Sequence, residues 1–573
     1  MPSTGATTHN NYQNVVLSNQ FTFSPDWVGS FVFGYSGLHL TQARNSDLGF
    51  ALAFPFSSTS NTVSGLETFG DNQFITVVTA FPVLRDQEKY QFRYDVSHVS
   101  GRHAPRFGVN FIHEPVLSGA LMANAETLVT LPQDPTFYVT NPAQFTADIA
   151  ASSAPTAAGD GSFSQNVQRL GLYAEDSWRV APRLTVNYGI RYDTTCGLFI
   201  ASGHDQSLNP ALAGNGIITG VPHDYRKAFA PRLGVAYGLG SSGNTVLRAG
   251  AGLYFNDLAQ NGWVQAFNAV NDSNIKSGLG PTSLIDSNYH TPYALHATAG
   301  IEHAFNANWI LSADWTLETG MHGYRRYDYP SGISVFRTDN RSSYNAFAVH
   351  LQGNVAKRLS LVANYTLASA KTWGCVLGEL FDYVNGVCDP LNAFAHGDYG
   401  PSGEDVRHRA VLAGTVRPPG GFEVTFLAQA ESARPFVITT ADNSARISVN
   451  GVPTSLDEFR GKPYIQADLR VSRPFKVQER WSVTPFIEFF NLFNRNNPGA
   501  NYVTNVAALP VPSAQQQSGN VTDICANVAC TTTTPVTRLS QLAIPAGGLG
   551  DFFGPGTTVG IPFAAQIGIR LTF

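Results

Sequence analysis

Read at every second position, LTVNYGIRYD (residues 184–193) separates into two chemically distinct series. Leu184, Val186, Tyr188, Ile190 and Tyr192 form an apolar row, while Thr185, Asn187, Gly189, Arg191 and Asp193 form a polar or small one. Successive side chains of a strand point to opposite faces, so this pattern describes a strand with one greasy and one wet side. The same design recurs in PRLGVAYGL, WILSADWTLE, LSLVANYTLA, FEVTFLAQAE, YIQADLRVS and the final AAQIGIRLTF. In the last of these, Ile567, Ile569, Leu571 and Phe573 lie opposite Gln566, Gly568, Arg570 and Thr572. About 17 such segments can be placed along the 573 residues: 13–24, 27–41, 87–98, 104–113, 167–178, 183–194, 228–238, 245–255, 293–304, 309–320, 344–354, 359–372, 406–416, 422–436, 463–472, 481–493 and 564–573.

Alternation also explains an unusual composition. Charged residues make up only 13%, about half the usual share of roughly 25%. Mean hydropathy is nevertheless close to neutral, at −0.08, because apolar and polar faces cancel. The net charge of −5 and the lack of a basic run argue against nucleic-acid binding. No apolar run reaches the roughly 18 residues that a membrane-spanning helix needs. The opening MPSTGATTHNNYQNVV has neither the basic nor the apolar region of a signal peptide.

The connections alternate in length. Short turns such as SPD (24–26), VSGRH (99–103), VAPR (180–183), GSSGN (240–244) and PPGG (418–421) alternate with long polar stretches at about 42–86, 114–166, 194–227, 256–292, 321–343, 373–405, 437–462 and 494–563. A transmembrane β-barrel segregates loop length in this way, with short periplasmic turns on one rim and long extracellular loops on the other. Backbone groups in hydrocarbon must be paired internally, so a sheet there has to close. The expected fold is therefore all-β: one antiparallel outer-membrane barrel over residues 13–573, after a disordered lead at 1–12. Trp178, Trp309 and Trp481, beside short turns, are expected in an aromatic girdle.

Candidate functional residues follow from the faces. Arg191, Arg232, Asp314, Asp468, Arg470 and Arg570 are expected on the lumen face, with Glu175, Arg248, Glu302, Glu423, Glu431 and Glu488 beside them. Asp176 is an exception, falling on the apolar face near a strand end. The pairs Cys375/Cys388 and Cys525/Cys530 can close loops as disulfides in an oxidising compartment. Free thiols and a metal site are the alternatives, the latter without a nearby His or full ligand set. The G-x-G-x-x-G at Gly238, Gly240 and Gly243 precedes an alternating strand rather than a helix, so it reads as a hairpin turn. Scattered histidines and loop acids such as Glu404-Asp405 and Asp457-Glu458 suggest neither a metal centre nor catalysis, so no enzyme and no cofactor is expected. The aromatic stretch LYFNDLAQNGWVQAFNAVND (253–272) is a candidate for capturing a ligand from outside.

RLGLYAEDSWRVAPRLTVNYGIRYD (169–193) resembles a strand–turn–strand signature of TonB-dependent outer-membrane receptors. FAPRLGVAYGLGSSGNTVLRAGAGLYF, YNAFAVHLQGNVAKRLSLVANYTLASAKTW, EDVRHRAVLAGTV and FIEFFNLFNRNNPG resemble later hairpins of the same barrel, closest to its Oar-like branch. The resemblance spans residues 12–573. It implies a barrel of about 22 strands, of which about 17 are present, so that the plug, the TonB box and the first strands are expected to be absent from this chain. It also implies location in the cell outer membrane of a Gram-negative-type bacterium, lipid around the barrel, and an extracellular ligand of unknown identity passing through it. The TonB complex would be a partner only if a plug is supplied upstream. The C-terminal row ending in Phe573 resembles the signal read by the barrel-assembly machinery. A structural or adhesive barrel, or a receptor remnant, is the alternative. A secreted β-rich enzyme or sugar-binding protein is a third reading, and it predicts polar outward faces without girdles.

Overall fold

The computed structural model describes residues 6–44, 50–53, 83–120, 127–151, 162–199, 220–256, 283–355, 358–375, 385–478, 481–497, 502–545 and 562–573, save positions 134, 242, 331–332, 443 and 528. Among the described residues, seventeen strands of its main sheet form a meander, and four shorter ones (Ser283–Ile285, Asn385–Gly386, Tyr399–Pro401 and Phe475–Gln478) pair alongside them. The first nine are β1 (Ala6–Ser24), β2 (Trp27–Arg44), β3 (Val83–His98), β4 (Arg106–Ala120), β5 (Ser162–Ala181), β6 (Leu184–Cys196), β7 (Ala228–Leu239), β8 (Thr245–Phe255) and β9 (Tyr293–Asn306). The remaining eight are β10 (Trp309–Asp328), β11 (Ser334–Val355), β12 (Leu359–Trp373), β13 (His408–Val416), β14 (Glu423–Glu431), β15 (Tyr464–Ser472), β16 (Trp481–Phe490) and β17 (Ala564–Thr572).

Each strand pairs antiparallel with the next, from β1–β2 through to β16–β17. Among the described residues, β1 pairs only with β2 and β17 only with β16. No described helix is long and apolar enough to cross a membrane. The ladder matches the alternation strand for strand, and β8 has the bounds that the sequence predicts. Register keeps the two faces continuous: Tyr188 opposes Leu233 on the apolar side, while Gly189 opposes Arg232 on the polar side. The apolar side remains open, with Tyr188 46%, Ile190 48% and Leu233 55% exposed. So many exposed apolar side chains in continuous rows belong against lipid, not water.

Three expectations are corrected. Residues 6–12, read as a lead, belong to β1 and pair with β2. The stretch 321–343, read as a loop, is mostly strand: β10 and β11 continue past a bulge at Met321/Gly323, where His322 takes a φ of 58°. Its charges mislead because they are partnered. Tyr327 donates to Asp339 Oδ2 (2.5 Å), Arg337 pairs with Asp286 (3.0 Å), and the fully buried Arg325 donates to Ala393 O (2.7 Å) and lies over Phe394.

The third correction concerns the long connections after β14 and β16, which the sequence predicts as polar loops. Their described parts pack on one another in a cap with its own core: Phe436, Ile438, Ile447, Phe459, Tyr502, Val503, Val506, Leu509, Val511, Val521, Val536 and Leu542. Short ladders tie it together. Pro435–Phe436 pairs with Phe459–Arg460, and Ser448–Val449 pairs with both Val452–Pro453 and Asn520–Val521. These apolar residues obey no simple period, since they come from turns and irregular segments of two distant stretches. Phe459→Ala is expected to destabilise the cap by about 3–5 kcal/mol through the lost packing and the cavity left behind. Limited proteolysis should then cut within 435–460 and 502–545 while the barrel keeps its heat-modifiable gel mobility; unchanged cap resistance would refute a cooperatively packed cap.

Candidate functional site

The polar face is a patterned surface rather than a random set of charges. One row runs Arg106, Glu175, Gly189, Arg232, Gly252, His296, Glu318, Tyr344 across eight strands, β4 to β11. Long side chains oppose glycines, which leaves them room to lie flat across the neighbouring strand. Arg191 lies over Gly171, Tyr173 over Gly108 and Asp314 over Gly300, so a Cβ at any of these glycines would collide with the side chain above it. Arg232 covers Gly252 in the same way, its Cγ 2.9 Å from where a Cβ would stand.

A cavity of about 940 Å³ opens on this face. Arg93, Arg106, Tyr173, Glu175, Asn187, Arg191, Arg232, Tyr254, His296 and Thr298 line it, with Gly189, Gly234 and Gly250 as floor. Of the sequence-predicted residues, Arg191 and Arg232 are brought together here. Arg191 is held by Asp193 (2.7 Å), and Arg232 rests on the Tyr254 ring, 4.3 Å from its centroid. Tyr254 in turn meets His296 edge-on at 4.8 Å, and His296 faces Glu318 at 3.5 Å. A second cavity of about 490 Å³ shares Tyr254 and His296 and extends towards the long-loop rim past Gly320 and Asn340. Tyr173, which donates to Asp95 (2.6 Å), is a lining residue that the charge pattern of the sequence does not single out. Its position in the polar series was the available signal.

The remaining predicted residues lie elsewhere on the same face. Arg470 pairs with Glu488 (3.0 Å), and Asp468 accepts from Gln466 (2.9 Å) and the Asn491 amide (2.9 Å). Arg570 opposes Thr484 in the last strand pair, and Asp314 opposes Gly300 and Ala348. Arg248–Glu302 (2.9 Å) and Arg409–Glu431 (2.8 Å) are further cross-strand pairs. On the other face Ile567, Ile569, Leu571 and Phe573 are 82%, 68%, 59% and 88% exposed. Asp176, the outward acid, is satisfied by His103 (2.6 Å), Tyr188 (3.0 Å) and the Ala104 amide (3.0 Å).

At the long-loop rim, Cys375 is bonded to Cys388 and Cys525 to Cys530, with Cα–Cα distances of 4.9 and 4.7 Å. Beside the first bridge, Arg446 joins two loops. It donates to Cys375 O (2.9 Å), Thr454 O (3.0 Å) and the buried Asp398 (2.6 Å). Arg460 similarly binds the buried Asp405 and Ala433 O (2.9 Å). Burial pushes the Asp457 carboxyl up to about 7, against the opposing pull of Arg446 and Arg460. The two cysteine pairs follow from their sequence spacing, whereas the partners of Arg446 and Arg460 do not, because no period relates them. Of the aromatic stretch 253–272, residues 257–272 lie outside the described residues. Among the described residues no group of His, Cys, Asp and Glu is arranged to hold a metal ion.

A family model described as an outer membrane beta barrel domain matches residues 1–329 and 303–457. Among solved structures, the outer membrane transporter YddB from Escherichia coli is similar, with a TM-score of 0.56 at 13% identity, covering 86% of this chain and 60% of that one. The closed form of the ferric-catecholate import receptor Fiu from E. coli K12 gives 0.51 at 13% identity, covering 85% and 60%. This chain thus spans about 60% of the length of either, and at such identity the likeness concerns the fold alone. No curated protein matches.

The raised carboxyl gives the cap a pH dependence. An unfolded Asp titrates near 3.9, so between about 3.9 and about 7 the folded cap holds a proton that the unfolded one lacks. Cap stability is therefore greatest below that window, falls as pH rises through it, and levels off above about 7. Hydrogen exchange in residues 435–460 should be faster at pH 8 than at pH 5, and Asp457→Asn should remove the difference. A wild-type rate ratio unchanged after correction for intrinsic exchange would contradict this.

Proposed function

The chain belongs to the outer membrane beta barrel domain family, and from that membership we propose that it forms the barrel of a transporter of the TonB-dependent receptor type, in its Oar-like branch. In this reading it binds a large ligand at the outer surface and carries it across the outer membrane. The observation that carries the proposal is the cavity of about 940 Å³ on the polar face, continued towards the long-loop rim by the second one. A barrel of this size whose inner wall is glycine-floored and edged with Arg191, Arg232, Tyr254 and His296 offers a broad, hydrogen-bonding passage rather than a filled core. The likeness in fold to an outer membrane transporter and to an import receptor supports the same reading. So do the motif strings at 169–193 and 229–255. Energy would come from the TonB complex of the inner membrane, acting through a plug. No catalysis is assigned to any residue.

The packed cap favours a second reading, an adhesive barrel, because a cored and disulfide-closed surface domain suits stable contact outside the cell. One comparison separates the two. Cells with and without the chain would be offered iron chelates, oligosaccharides and peptides, before and after treatment with a protonophore. Transport predicts that one solute class enters only cells that have the chain, and that the protonophore stops it. Entry indifferent to the protonophore, or lost adhesion with every uptake rate intact, would sink the energised transporter.

A further inference from the structure

Near the long-loop rim, two outward rows of the sheet end in positive charge. On β10 the outward series includes Trp309, Trp315 and Met321, opposite Gly353, Phe347 and Arg341 of β11. On β12 it includes Tyr365, Leu367 and Lys371, with Lys371 opposite Ser343 of β11. Phe347, Tyr365 and Leu367 are 45%, 41% and 41% exposed, which marks this side as the one that lipid covers. Arg341 and Lys371 are exposed as well, and neither makes an ion pair among the described residues. They stand on adjacent strands two positions out of register, so their backbones are about 7–8 Å apart. Among the described residues the outward rows of β9 to β13 contain no acid. The outward row of β3 ends instead in Asp86 and Glu88.

Height and neighbours give the two cations a particular depth. Met321, the partner of Arg341, is twelve residues beyond Trp309, and Lys371 is twelve beyond Leu359. At about 3.4 Å per residue and a tilt of roughly 40°, that is about 30 Å along the membrane normal, just past an apolar band of about 25 Å. The surrounding rings agree. Lys371 lies over Tyr399, 5.8 Å from its centroid, and Tyr399 packs on Trp373 (5.1 Å). The Tyr399 and Ser343 hydroxyls share a hydrogen bond (3.2 Å), which holds the Tyr399 ring across the outward side of β11 and β12. Tyr293 donates to Met321 Sδ (3.4 Å) and lies 5.7 Å from the His322 ring. Tyrosine and tryptophan settle where hydrocarbon gives way to headgroups, so Arg341 and Lys371 stand at the level of headgroup phosphates.

We propose that this outward patch on β10 to β12 binds a phosphate monoester on the headgroup of an outer-leaflet glycolipid. The inference rests on the outer-membrane barrel fold and is independent of transport. In such barrels the long loops face outward, so the leaflet at this height is the outer one. Arg341 offers paired donors to two phosphate oxygens, and Lys371 supplies a compact charge beside it. A phosphate monoester carries about −1.5 to −2 at neutral pH, roughly twice the charge of a diester, and so matches two cations with no acid between them. The apolar side chains directly below, Phe347 and Leu367, give acyl chains a seat that a soluble anion would leave unused.

The test uses the full chain purified from outer membranes in detergent. Native mass spectrometry would compare its binding of lipid A bearing two phosphates, of the same lipid A dephosphorylated, and of phosphatidylglycerol. We expect the phosphorylated form to bind about tenfold more tightly than the dephosphorylated one, with the preference shrinking as ammonium acetate is raised to about 0.5 M. Arg341→Gln combined with Lys371→Gln should bring the two forms level, whereas Arg341→Lys should keep most of the preference. Arg183→Gln with Lys476→Gln, at the short-turn rim, should leave it intact. Equal binding of the two forms by the wild type overturns the proposal, as does a preference that survives the double substitution in a heat-modifiable barrel. Phosphatidylglycerol bound as tightly as phosphorylated lipid A overturns the monoester assignment, and full displacement by millimolar inorganic phosphate overturns the lipid. Should the double variant not fold, each single substitution to Gln is expected to lower the preference to about threefold, and an unchanged preference in both overturns the site.

Discussion

Everything in this molecule depends on pairing backbone amides and carbonyls across strands. In hydrocarbon no water is available to take them, and each orphan costs several kcal/mol. The antiparallel ladder from β1 to β17 answers that requirement strand by strand, and it leaves the side chains to specify surroundings rather than shape. Tyr188, Ile190 and Leu233 can therefore be large, apolar and about half exposed, because lipid covers them.

Once the ladder takes over the burial of polar backbone, the wet face is free to be sculpted. Its unit is a long side chain opposite a glycine. Arg191 over Gly171 and Asp314 over Gly300 lie nearly in the plane of the sheet, so charge lines the wall without filling the space in front of it. Where glycines meet each other, as Gly234 and Gly250 do, the floor of the cavity is bare backbone. Ion pairs such as Arg470–Glu488 and Arg409–Glu431 then couple neighbouring strands across this face.

Strands were legible because a period of two is a local signal. Leu184 to Asp193 announces its strand without knowledge of any partner, and β8 spans the same residues in sequence and structure. The same signal gave the shared face of Arg191 and Arg232, hence part of the cavity wall. It could not give Arg446 beside Asp398, 48 residues away, because loop contacts follow no period. Nor could it foresee that Tyr324 and Tyr327 would be buried above the bulge: aromatic residues mixed with arginine read as loop until Phe394 and Asp339 come to meet them. The cap core shows the limit most clearly, since Val506 and Val521 are anchored against Ile438 and Ile447 from another loop altogether.

The length of the meander has a consequence for its edges. With an odd number of alternating strands, β1 and β17 run in the same direction although they stand at opposite ends of the sheet. A seam made directly between them would be parallel, and a second copy lying the same way up in the membrane would again offer only parallel neighbours. A seam that is antiparallel on both sides requires an odd number of strands between the two. Direction alone therefore sorts whatever can join these edges. An amphipathic hairpin fails by parity, where one strand, or three, would fit.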